Sequence, residues 1–348
     1  MVIPVRASVI VPTFRRSEKL CACLRALARQ SAHPRDFDVH IAIDGREPRT
    51  VEAAAGAWRQ AGADPARLVV SEAEQAGPCA ARNRAIRAAA GEALIFFNDD
   101  VTPAPGCVAE HLAAQNARPA IYAGDSPWRV RSPDSLFAQL VRETSMVFFH
   151  HRMRGHTDPD HDWGYRHAWL LNLSIPAKAV RDCGGLRIIQ RTYGRDDDEL
   201  AFRLTREHAL PVLFRPGAVA VHDHAMTPRA YLRREYELGY GAPAFALGAP
   251  ECARDLFGRD ILCPAERSDA NGLLARYRDA AAELLPWFVS LAQQPPARSA
   301  SDALWNAHYQ RHLPLKRWMW RRGLVDAFDG RVVHADEALD SLAIAVAA

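Results

Sequence analysis

The first hundred residues repeat one pattern. A short apolar run stops at a polar or acidic residue, and a stretch with helical spacing follows. Ala7 to Pro12 is β-rich and apolar, is closed by Pro12, and leads into the loop Thr13-Phe14-Arg15-Arg16. Ser17 can cap a helix in which Leu20, Leu24 and Leu27 recur at helical spacing. Phe37 to Ile43 reads as a second strand, ending at Asp44-Gly45. A helix around Val51 to Ala61 and a short strand at Arg67 to Ser71 follow. After Gly77-Pro78, Cys79 to Ala90 is alanine-rich and helical and is stopped by Gly91; Leu94 to Phe97 is the next strand. Strands alternating with helices predict βαβ units with right-handed crossovers, and hence an α/β fold with a mainly parallel sheet.

That layout puts Thr13-Phe14, Asp44 and Asp99-Asp100 at the carboxyl ends of strands. In a parallel sheet those ends share one edge, where ligands of open α/β sheets bind. Asn98-Asp99-Asp100 closes a buried strand with two adjacent carboxylates, which repel each other and resist desolvation unless water, a donor or a cation meets them. The stretch reads either as a turn or as a seat for a divalent cation carrying a phosphate ligand.

From about Val108 the alternation loosens. Val108 to Asn116 is expected to be helical, Ala120 to Gly124 a strand, and Ser135 to Phe149 an amphipathic helix. His150 to His167 is polar and suits a surface loop or flap. His156, His161 and His167 lack a regular helical spacing, which argues against a metal site there. Trp169 to Ile175 is apolar, Cys183 to Leu186 reads as a turn, and Tyr193 to Leu204 carries an acid cluster. Pro211 to Val221 is strand-like and ends in His222-Asp223-His224, and Thr227 to Gly241 is helical. Beyond Ala242 the chain is mixed helix and loop with a break at Pro295-Pro296. Lys316 to Arg322 is basic and aromatic; it suits either peripheral contact with an anionic membrane or a helix face with two packed tryptophans.

A net charge of +3 over 348 residues gives no electrostatic case for a nucleic-acid binder. No apolar run approaches the roughly 20 residues of a spanning helix, and the N-terminus lacks the layout of a secretory signal. The seven scattered cysteines fit reduced thiols, so the expected setting is cytoplasmic, with the inner membrane face as a variant. There is no Gly-x-Gly-x-x-Gly after the first strand, no Walker A sequence and no Gly-x-Ser-x-Gly elbow. What remains for chemistry is a set of carboxylates on strand ends.

Four segments in order resemble the family 2 glycosyltransferases of GT-A fold. They are S-V-I-V-P-T-F-R-R (Ser8 to Arg16), I-D-G (Ile43 to Gly45), G-P-C-A-A-R-N-R-A-I (Gly77 to Ile86) and G-E-A-L-I-F-F-N-D-D (Gly91 to Asp100). The resemblance runs on more loosely through N-L-S-I (Asn172 to Ile175), C-G-G-L (Cys183 to Leu186), D-D-D-E-L-A-F-R (Asp196 to Arg203) and His222, covering about the first 225 residues. It implies a GT-A domain over 1–241, with a donor-binding half at 1–125 and an acceptor-side half at 126–241, and a mostly helical region at 242–348.

The resemblance further implies an inverting hexosyltransferase that uses a nucleoside diphosphate sugar, UDP- or dTDP-linked, and a saccharide, lipid-linked or small-molecule acceptor. Pro12 and Phe14 would line the nucleoside pocket, Asp44 would accept from the base, and Arg82 would approach the nucleotide, while Asn83 fixes local backbone. Asn98-Asp99-Asp100 matches a DXD-type motif whose first acid is an amide here. Asp100 would ligate Mn²⁺ or Mg²⁺, Asp99 would hold ribose or a water, and His222 would add a metal or diphosphate contact, with His224 as the neighbour able to replace it. Anchoring on Leu200 and Arg203 makes Asp197 the general base, with Asp196 as the fallback. A non-catalytic sugar-nucleotide-binding module and a sugar-nucleotide pyrophosphorylase are the rivals. The first has no need of Asp197. The second wants a glycine-rich loop where this chain has P-T-F-R-R.

Overall fold

The computed structural model describes residues 6–189, 194–298, 301–331 and 335–347. Met1 to Val5 and Tyr193, which entered the sequence reading, lie outside the described residues. Eight strands form one sheet: β1 (Ala7–Thr13), β2 (Phe37–Asp44), β3 (Leu68–Ala73), β4 (Ala93–Phe97), β5 (Val101–Pro103), β6 (Ile121–Asp125), β7 (Asn172–Pro176) and β8 (Val212–His222). Their order is β3-β2-β1-β4-β7-β6-β8-β5. β1–β2, β1–β4, β2–β3 and β6–β8 run parallel; β4–β7, β6–β7 and β5–β8 run antiparallel. The sheet is mixed and mostly parallel, with helices on its faces.

The βαβ reading of the first hundred residues holds. Every residue of β1 and β4 is buried, as expected for parallel strands covered on both faces. Because β2, β1 and β4 are neighbours, the ends bearing Asp44, Phe14 and Asn98 lie side by side. Further on, two expectations change. The helix foreseen over Ser135 to Phe149 spans only Leu136–Glu143, because Thr144 turns to an extended backbone and its hydroxyl bonds back to the Leu140 carbonyl. The polar stretch His150 to His167 is not wholly irregular: it starts with one helical turn, His150–Met153, and ends in a 3₁₀ turn, Tyr165–His167.

The chain divides into two compact units. The first comprises 1–129, 152–188 and 196–224; the second comprises 130–151, 189–195 and 225–348. The expected boundary after residue 241 does not coincide with this division. The helix Pro228–Tyr240 packs on the long helix Asp302–Phe328 and so belongs with the C-terminal helices. Gly239 and Gly323 make that approach possible, since a Cβ on either would run into the Trp320 or Tyr236 carbonyl. The Tyr236 hydroxyl donates to Asp326 at 2.8 Å, and Tyr231 meets His312 at 3.1 Å.

In the same unit Trp318 and Met319 are buried, and the Trp318 indole donates to the Leu274 carbonyl. Lys316 pairs with buried Glu235 at 3.6 Å. Of the two sequence readings of Lys316 to Arg322, these contacts are those of a packed helix face. No helix among the described residues is long and apolar enough to cross a membrane.

Candidate active site

The first unit holds every residue that the sequence reading singled out for chemistry. Asp44 ends β2 and is buried. Its carboxylate accepts from the Ala76 and Gly77 amides at 2.7 and 3.0 Å. Gly77, at φ +91°, caps the helix Pro78–Ala88, so Asp44 fixes the entry of the helix that carries Arg82. Phe14 is partly exposed and lies against Gly45, and the Arg15 guanidinium sits 4.8 Å from its ring centre. Pro12 is buried within β1 opposite Ala42. A partly open aromatic and a carboxylate thus stand together at one end of the edge.

At the middle of the edge Asp99 and Asp100 are 3% and 4% exposed. The Thr13 hydroxyl donates to Asp99 at 2.7 Å. Arg16 spans both acids, at 3.0 Å from Asp99 and 2.5 Å from Asp100. Burial pushes the Asp99 carboxyl up to about 6, against the pull of Thr13 and Arg16. Burial acts on Asp100 too, but the imidazoles of His222 and His224 beside it and the charge of Arg16 outweigh it and hold Asp100 below the usual carboxylate range.

The histidines arrive through β5, a three-residue strand that the sequence reading passed over. Val101 pairs with His222 across β5 and β8, and the Asp223 amide donates to the Asp100 carbonyl at 2.7 Å. His222 Nε2 lies 3.6 Å, and His224 Nδ1 3.3 Å, from the same Asp100 oxygen. Trp128 packs on His222 with ring centres 4.4 Å apart. Lys19 and Arg129 hold the Asp223 carboxylate between the two histidines, at 2.9 and 3.2 Å.

One ligand atom each from Asp100, His222 and His224 falls within 4.8 Å of the others, the one such cluster found among the described residues. The second Asp100 oxygen is buried with no hydrogen-bond partner. One carboxylate and two imidazoles converging, with an acceptor left over, fit a divalent cation. Sequence reasoning reached Asp100 and His222 and kept His224 in reserve. It missed Arg16, Lys19 and Trp128, for which the only signal was the Arg15-Arg16 doublet in the loop.

The acid cluster opens the helix Asp196–Glu207. Arg203 sets its position by donating to the Cys183 and Gly185 carbonyls at 2.6 and 2.7 Å while paired with Glu199 at 2.7 Å. Asn83 clasps the neighbouring turn through the Leu186 carbonyl and amide, at 2.7 and 2.9 Å, in keeping with a backbone-fixing role. Asp196 pairs with Arg82 at 3.0 Å. Asp197 accepts one long bond from the Leu170 amide, 3.3 Å. Burial first, and the Asp196 charge second, push Asp197 well above the usual aspartate range. Arg82 is buried, and its contacts are Asp196 and, at 2.9 Å, Asn98.

This is the architecture of a GT-A glycosyltransferase. The mannosyltransferase PcManGT from Pyrobaculum calidifontis, solved with GDP-Man and Mn²⁺, matches with a TM-score of 0.56 at 17% identity, covering 95% of this chain and 90% of that one. Residues 8–171 match the family model described as Glycosyl transferase family 2. Over those residues the chain is similar to family 2 glycosyltransferases, and the fold agrees with that likeness. Validoxylamine A glucosyltransferase of Streptomyces hygroscopicus subsp. limoneus is 28% identical over 233 residues, covering 59% of this chain and 49% of its own length. An uncharacterized glycosyltransferase of Bacillus subtilis, YfnE, is 32% identical over 109 residues, 31% of this chain and 26% of its own. The chain therefore spans half or less of the length of these curated relatives.

Proposed function

We propose that the chain transfers a hexosyl group with inversion from a nucleoside diphosphate sugar to an acceptor hydroxyl. The observation that carries the reading is two unlike acidic centres in one unit, reached from one sheet edge. One is the Asp100/His222/His224 cluster. The other is Asp197, whose carboxyl is pushed up by burial and by Asp196. The match to the family 2 model and the similarity to a glucosyltransferase support sugar transfer as the reaction class.

In this reading Phe14 and Asp44 receive the nucleoside. The spare lone pairs of the Asp44 carboxylate suit an imide N–H, which favours a uracil or thymine base. Asp99 holds ribose or an ordered water. Asp100, His222 and His224 hold the cation, and the two imidazoles favour Mn²⁺ over Mg²⁺. When bound, the cation offsets charge on the diphosphate as it departs. Asp197 takes the proton from the acceptor hydroxyl. An alcohol is a weak nucleophile near neutral pH, and a base with raised proton affinity suits that task. With one base and a single displacement, no sugar–enzyme bond forms. The acceptor is a saccharide, a lipid-linked saccharide or a small polyol.

The test is release of nucleoside diphosphate from a panel of UDP-, dTDP- and GDP-sugars with Mn²⁺ and mixed acceptors, wild type against Asp197→Asn. The reading expects turnover on at least one donor and its loss in the variant. Donor binding without turnover on any acceptor would favour a binding module. Formation of nucleoside triphosphate from pyrophosphate would favour a pyrophosphorylase.

A further inference from the structure

Arg82 enters the resemblance as a residue approaching the nucleotide, yet its guanidinium has other partners here. It projects from the helix Pro78–Ala88 and is buried. One terminal nitrogen donates to the Asn98 side-chain oxygen at 2.9 Å, at the end of β4. The other donates to Asp196 at 3.0 Å, at the start of the acid helix. The third nitrogen, Nε, is buried with no partner. A planar guanidinium fork holds its two partners at once in a fixed geometry. The link therefore joins the strand that ends in Asp99-Asp100 to the helix that begins with Asp196-Asp197.

Asn98 stands where a strict motif of this type has an acid. An aspartate there would be a second anion within hydrogen-bond distance of Arg82 and would compete with Asp196 for its charge. A neutral amide accepts the bond and leaves the charge to Asp196. We propose that Arg82 is a positioning residue, tying the acid helix to the end of the donor strand, and that the amide at Asn98 is what reserves its charge for Asp196.

The inference rests on Asp197 as the general base. The groups facing Asp197 are Asp196 and Asp198 on its own helix, Arg82 and the Cys79 thiol from the helix Pro78–Ala88, and the Leu170 amide. Of these only Arg82 is cationic. Removing it takes a positive charge away from two adjacent carboxylates, and Asp197 then takes up its proton more readily.

The experiment is the pH profile of kcat/KM for nucleoside diphosphate release by wild type, Arg82→Met and Asn98→Asp, with donor KM measured alongside. Arg82→Met is expected to move the acid limb upward by about one pH unit, an effect of the size a neighbouring charge exerts. Asn98→Asp, at a partly exposed position that tolerates a near-isosteric change, is expected to move it in the same direction by less. An unmoved limb with a donor KM raised tenfold or more would assign Arg82 to the nucleotide and overturn the inference. So would a loss equal at every pH in a variant whose circular dichroism and melting temperature match wild type. Asp197→Asn separates the two claims. If that variant keeps wild-type turnover, the base assignment itself fails. Titration of ¹³C-labelled aspartate in wild type and Arg82→Met then still decides whether Arg82 governs the acid pair.

Discussion

Two pairs of neighbouring aspartates, Asp99-Asp100 and Asp196-Asp197, share a chemistry on paper and differ in their surroundings. Around the first, cations and donors gather: Arg16 spans both acids, Thr13 bonds Asp99, and His222 and His224 close on one Asp100 oxygen. At the second, the cation that the described residues show in contact is Arg82, paired with Asp196. The first pair therefore contains a carboxylate held below its ordinary range, suited to lasting negative charge and a cation. The second contains one pushed above that range, suited to exchanging a proton. Two acids of one residue type are driven apart by environment alone, which is how one site assigns separate roles to similar groups.

The contrast gives a graded set of expectations. Asp197→Asn is expected to cost about 10²- to 10⁴-fold in turnover, the usual scale of a positioned base, while leaving Mn²⁺ affinity within about twofold by calorimetry. Changes at the other pair should reverse this pattern. His222→Ala is expected to weaken Mn²⁺ binding, measured by titration calorimetry, by about tenfold or more, with His224→Ala milder because His224 is exposed. If both histidine variants bound Mn²⁺ as tightly as wild type, the cation would not sit between them.

The pH dependence follows from the sign of the Asp197 displacement. A base works unprotonated, so turnover falls as pH drops through its own raised value, above the ordinary aspartate figure of about 3.9. Asp196→Asn removes the like charge and should move that limb downward, opposite to Arg82→Met. The smallest effect is expected from Thr13→Val. It removes one neutral donor from Asp99, worth about 1 kcal/mol, and should raise donor KM a few-fold with kcat little changed.

The parallel half of the sheet was legible because its strands are buried on both faces, and continuous apolar runs ending in Phe14, Asp44 and Asn98 mark them locally. Three ends on one edge followed from topology alone. β5 was not legible: Val101–Pro103 has too few residues to show a period and exists through its pairing with β8. The convergence of His222 and His224 on Asp100 was hidden with it, because 122 residues or more separate them in the chain. Arg16 gave no sign of its partners either, since an arginine in a loop after a strand is read as solvated until the tertiary fold brings carboxylates to it. The boundary between the units escaped for a related reason. Helix Pro228–Tyr240 follows β8 directly in sequence, and only its tertiary contacts with Asp302–Phe328, at Gly239, Gly323, Tyr236 and Tyr231, assign it to the C-terminal helices.

The central claim is that the two aspartate pairs divide cation binding and proton transfer between them. The most direct measurement is Mn²⁺ titration calorimetry with Mn²⁺-dependent nucleoside diphosphate release, run on the same preparations of wild type, Asp100→Ala and Asp197→Asn. The account predicts that Asp100→Ala loses both Mn²⁺ binding and turnover, while Asp197→Asn keeps the binding and loses the turnover. Wild-type Mn²⁺ affinity in Asp100→Ala, or wild-type turnover in Asp197→Asn, would contradict it.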